Sequence, residues 1–137
     1  MVGINARFQT VAVWLTIALS LHQGAMGVSR AQYLQDVKPI LKSRCYACHG
    51  ALKQEAGLRL DAGRLIRKGG DSGEVIVPGQ PERSVLVERI SAANLFERMP
   101  PEGDPLSDAQ IAVLRQWIAD GAHSPADEQP EADPGSH

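Results

Sequence analysis

Two cysteines three positions apart, with a histidine directly after the second, constrain this chain more than any other feature: Cys45-Tyr46-Ala47-Cys48-His49. In such a run the two thiols can add across the vinyl groups of a porphyrin, which sets the adjacent histidine under the iron as an axial ligand. That geometry needs all three residues. Cys45, Cys48 and His49 are therefore the first candidate site residues, with one haem c, covalent through both thiols, as the implied cofactor. Three other readings compete. Zinc would want a fourth ligand, and past the N-terminal leader the remaining histidines are His123 and the terminal His137. A redox dithiol belongs beside a strand–helix–strand pattern, whereas the residues before Cys45 read as helix. A plain disulfide, ordinary in an oxidising compartment, leaves His49 without a role.

The N-terminus sets the compartment. Arg7 is a basic n-region, residues 11–21 are an apolar stretch, and small residues follow at Ala25 and Gly27; this is the pattern of a cleaved export signal. Residues 1–27 are read as that signal peptide, with an alternative cut after Ala31, and the mature protein as periplasmic or secreted. A bilayer-spanning helix needs about 20 apolar residues, so no stable membrane span is expected after signal removal. Cleavage removes one of 14 basic residues and none of 16 acidic ones. A balance so close to neutral implies neither nucleic acid nor an anionic membrane surface as partner.

A chain of 137 residues has room for one modest domain. Tyr33, Leu34, Val37, Ile40 and Leu41 recur at helical spacing, which predicts a first helix from about Ser29 to Arg44, kinked or restarted at Pro39. Residues 62–68 predict a short second helix, with Asp61 as N-cap and Gly69-Gly70 as stop. The stretch from Val75 to Gly79 is extended ahead of Pro78. A third helix begins near Pro81 or Ser84 and buries Val85, Leu86 and Ile90. In the fourth, Ser107 and Gln110 form a capping box, and Ile111, Leu114, Trp117 and Ile118 make one apolar stripe that ends at Gly121. The fold expected is all-α, a small helical domain over residues 28–123, and residues 124–137, acidic and without apolar periodicity, are expected to be a disordered tail. Only Tyr33, Tyr46, Phe96 and Trp117 remain as aromatics beyond the leader. A core so short of large side chains has room for a haem.

The sixth iron ligand decides what such a site does, because a filled position transfers electrons and an empty one binds or activates small molecules. Met99 is the only methionine past the leader. It stands in Arg98-Met99-Pro100-Pro101, a stiff non-helical loop suited to holding a thioether at fixed distance. An isolated methionine is more often core filler, but one in a Pro-Pro loop has no helical stripe to join. His123 is the runner-up.

These motifs resemble the planctomycete-type cytochrome c domain. The resemblance runs through Asp36-Val37-Lys38-Pro39-Ile40-Leu41, Cys45 to Gly50, Gly57-Leu58-Arg59-Leu60-Asp61, Gly69-Gly70, Val77-Pro78-Gly79, Arg98-Met99-Pro100-Pro101 and Trp117-Ile118. It implies a class I cytochrome c-like fold around one haem, with His49 and Met99 as axial ligands. The function expected is single-electron transfer to or from a redox partner protein, with no catalytic residue required. The alternative is a haem-based sensor or enzyme with an open or displaceable sixth site. Arg59 and Arg98 are candidates for the haem propionates, and the Pro78 carbonyl for the second ring nitrogen of His49.

Overall fold

The computed structural model describes residues 31–132. The signal peptide expected over residues 1–27 and the helix start expected at Ser29 lie outside them. Regular structure among the described residues is helical. A π-helical turn, Tyr33–Val37, runs into α1 (Lys38–Arg44), followed by α2 (Gly63–Lys68), α3 (Val85–Ser91) and α4 (Asp108–Ala119). Single 3₁₀ turns lie at Glu55–Gly57 and Pro81–Arg83. Strand-like pairing among the described residues is limited to two isolated bridges, His49 with Gln54 and Gly70 with Gly73. The all-α expectation holds.

The break expected at Pro39 takes the form of the π-turn. Pro39 sits in the first turn of α1, directly after the π-turn, so the N–H it lacks falls where one kind of helical bonding gives way to the other. Just upstream, the N–H groups of Val37 and Lys38 reach back five residues, to the carbonyls of Gln32 and Tyr33. The α4 cap is as expected: Gln110 N–H donates to Ser107 Oγ at 3.2 Å, and Ser107 N–H to Gln110 Oε1 at 3.0 Å. The α4 stripe then buries Leu114, Trp117 and Ile118. Trp117 meets Tyr33 at 5.6 Å between ring centroids, which seats the C-terminal helix on the N-terminal one. Its indole N–H donates to the His123 carbonyl at 2.8 Å.

Two local expectations change. Asp61 does not cap α2, whose N-cap is Ala62; its fully buried carboxylate pairs with the Arg59 guanidinium. The α3 stripe is shifted, because Val85 is exposed and Val87 is buried instead. The Ser84 hydroxyl accepts from Val77 N–H at 2.9 Å and donates to Gln80 O at 3.0 Å, so it ties down the extended segment rather than capping the helix.

The tail differs too. Residues 124–132, expected to be disordered, lie across the body. Glu128 pairs with Lys38 at 2.6 Å and accepts from Gly63 N–H at 2.7 Å. Ser124 Oγ accepts from Arg67 at 3.0 Å, and Glu131 N–H donates to Asp61 Oδ2 at 3.0 Å. These contacts are polar and charged, so a search for apolar periodicity passes over them.

Candidate functional site

The candidate residues begin where α1 ends. Cys45 N–H still reaches Leu41 O at 2.8 Å, and the chain then closes one tight turn in which Cys48 and His49 both donate to Cys45 O, at 3.2 and 2.8 Å. Tyr46 plugs this turn into the core, leaving Cys45 and Cys48 partly exposed and unbridged. Gly50 is required by a close approach: a Cβ there would lie 2.4 Å from Tyr46 O. Burial pushes the Cys45 thiol up to about 11. No group of three side chains placed to hold a metal ion occurs among the described residues.

His49 is held on two sides. Its carbonyl accepts from Leu60 N–H at 2.8 Å, and its ring Nδ1 lies 3.1 Å from Glu55 O. A carbonyl can only accept, so Nδ1 carries the proton and Nε2 keeps its lone pair. The ring partner is the Glu55 carbonyl, in place of the Pro78 carbonyl expected from the sequence. The Pro78 segment is engaged elsewhere, with Gly79 N–H on Ile118 O at 2.7 Å.

Met99 stands in the loop between α3 and α4, where its N–H donates to Arg89 O at 2.9 Å. Its side chain is 39% exposed. Arg98 spends its fork on that same loop, on Pro100 O at 3.2 Å and Gly103 O at 2.9 Å. Arg59 is taken by Asp61. Both arginines proposed for propionates thus have partners within the protein. His123 lies in a groove beside Tyr33, Trp117 and Pro125, which none of Cys45, Cys48 or His49 lines.

Arg44 was missed by the sequence reading. Adjacent to Cys45, it donates to the carbonyls of Asp104 and Pro105, tying the cysteine turn to the loop that carries Met99. Its position in the last turn of a helix reads as an ordinary C-terminal cation, and only the fold shows what it reaches.

The residues fit a covalently held haem. Two unbridged thiols share one turn with an imidazole whose Nδ1 is anchored and whose Nε2 accepts no hydrogen bond among the described residues. Among the described residues, three exposed large apolar side chains, Leu52, Leu95 and Phe96, lie within four residues of His49 or Met99 along the chain. An apolar group at this site would cover surface that water otherwise wets.

A cysteine-pair turn with an anchored histidine, carried on a small helical domain, is the arrangement of a c-type cytochrome. Comparison with known families narrows the class. Residues 45–103, which span all four candidate residues, match the family described as Planctomycete cytochrome C, and over that stretch the resemblance drawn from the motifs is borne out. No curated protein and no solved structure matches the chain.

Proposed function

We propose that the protein is an exported, single-haem electron-transfer cytochrome, with haem c held through Cys45 and Cys48 and ligated by His49 and Met99. The observation that carries this reading is the Nδ1 contact of His49 with Glu55 O, which presents Nε2 as a donor one turn from two unbridged thiols. The haem would supply a reversible one-electron couple. Cys45 and Cys48 Sγ would hold it as thioethers, His49 Nε2 and Met99 Sδ would meet the iron, and Tyr46 and Leu41 would keep water from beneath the turn. The domain runs over residues 28–123, residues 1–27 direct export, and the counterpart is a redox protein rather than nucleic acid. No helix among the described residues is long and apolar enough to cross a membrane. Electron transfer needs no catalytic residue.

The partial exposure of Met99, on a loop separate from the histidine, favours one second reading: a displaceable sixth ligand, as in a haem sensor or enzyme. The test is an absorption spectrum of protein produced with a periplasmic haem-attachment system, oxidised and reduced, followed by denaturation and extraction. Haem that stays on the chain, with a weak far-red iron–thioether band that Met99→Ala abolishes, is expected. Attached haem without that band, and rapid carbon monoxide binding at neutral pH, would favour the second reading. A colourless protein would overturn both.

A further inference from the structure

Glu55 O serves two donors, His49 Nδ1 and Leu58 N–H, each at 3.1 Å. To face the ring the chain reverses within Glu55–Gly57, and it does so through two successive left-handed residues, Ala56 (φ 55°, ψ 29°) and Gly57 (φ 64°). A left-handed alanine is strained by its Cβ, so such a turn persists only where its surroundings hold it.

Residues 69–73 supply that hold. Asp71 N–H donates to Ala56 O at 2.8 Å. Gly70 comes so close that a Cβ would lie 2.6 Å from the same carbonyl, and a Cβ on Gly57 would lie 2.2 Å from Asp71 Oδ1. The clamp is itself stiff: Gly70 and Gly73 exchange hydrogen bonds of 3.0 Å. Gly69 adopts φ 76° with Gly73 O only 2.1 Å from where its Cβ would be.

We propose that the 69–73 loop is a positioning element for His49: it clamps the Ala56–Gly57 turn, fixes Glu55 O against Nδ1, and so sets the donor strength of Nε2 and the reduction potential of the bound haem. The inference rests on the haem reading above. An acceptor on the far nitrogen makes the ligating one more basic, which favours the oxidised iron and lowers the potential. No hydrogen bond among the described residues joins Gly57, Gly70 or Asp71 to the His49 ring; in this proposal they act through the Glu55 carbonyl.

The experiment uses the haem-loaded protein and reads two quantities, the midpoint potential and the deuterium exchange of the His49 ring N–H by NMR. In the wild type that N–H is expected to exchange far more slowly than free imidazole. Gly70→Ala and Gly57→Ala are expected to shift the potential upward and to speed exchange. Adding Asp71→Ala to Gly57→Ala removes the carboxylate that the new Cβ meets, and is expected to return both readouts part of the way, the left-handed backbone of residue 57 (φ 64°) remaining strained under any Cβ. Variants that lose thermal stability while potential and exchange stay at wild-type values would overturn the proposal, because the loop would then be structural only. Should Gly70→Ala fail to load haem, the wild type still decides: ring exchange at the free-imidazole rate overturns the proposal. A wild type without covalent haem overturns the parent reading, and this one with it.

Discussion

Replacing Glu128 with alanine is expected to destabilise the domain by about 2–4 kcal/mol, a large effect for a residue in an acidic tail. The Glu128 side chain is only 6% exposed and serves two partners, Lys38 Nζ at 2.6 Å and Gly63 N–H at 2.7 Å. Gly63 is buried, and a buried N–H left without an acceptor costs about 1–3 kcal/mol. Lys38 is a quarter exposed and can turn its ammonium to water, so its lost attraction adds about 1 kcal/mol rather than the full cost of a stranded charge. For a domain of this size the sum corresponds to a fall in Tm of roughly 10–25 °C. The assay is thermal and urea unfolding of the haem-loaded protein at neutral pH, followed by far-ultraviolet circular dichroism. Glu131→Ala is the control: its side chain is 38% exposed and its partner Lys42 64%, so about 0–1 kcal/mol is expected. The reasoning is refuted if Glu128→Ala unfolds within about 0.5 kcal/mol of wild type, or if the two variants cost the same.

Alkaline unfolding should report the two tyrosines, which are the only ones in the chain. Burial, and then nearby acids, push Tyr33 and Tyr46 above the ordinary phenol range. The unfolded chain releases these protons near pH ~10 while the native one retains them, so stability is full below that pH and declines above it; phenolate absorbance should grow only as helicity is lost. Gly50→Ala, which drives a Cβ to 2.4 Å from Tyr46 O, should cost about 1–3 kcal/mol in urea unfolding and reduce the yield of haem-loaded protein. Ser107→Ala removes the hydroxyl that accepts from Gln110 N–H and should cost about 1 kcal/mol, with the visible spectrum unchanged.

What could be read from the sequence was what local chemistry decides. The Ser107 capping box and the Leu114, Trp117, Ile118 stripe lie within one helix and follow its period, so α4 emerged complete. Cys45, Cys48 and His49 are grouped by their spacing alone, and the fold places them on one turn. The failures share another cause, which is that the deciding partner is set by the path of the folded loops and not by the period of one helix. Asp61 has the right residue type for an N-cap, but Arg59 and the Glu131 N–H outcompete the start of α2 for its carboxylate. Pro78 offered a carbonyl of the right kind, yet Glu55 is nearer because the chain reverses through a left-handed alanine, a conformation that no propensity would assign to that residue.

The tail and the site are joined by a short run of backbone. Leu60 N–H holds the His49 carbonyl, and its neighbours Arg59 and Asp61 are the residues that residue 131 engages, through Arg59 to the Glu131 carbonyl at 3.2 Å and Glu131 N–H to Asp61. The ring of His49, by contrast, is held by Glu55, whose turn answers to residues 69–73. One histidine therefore has two independent supports, one on its backbone and one on its imidazole. Loosening the tail should lower stability while the ring contact persists, whereas loosening the 69–73 clamp should move the ring before the fold gives way. If Glu128→Ala shifted the midpoint potential as far as Gly70→Ala, the two supports would be mechanically one, and the division of labour argued from these hydrogen bonds would fail.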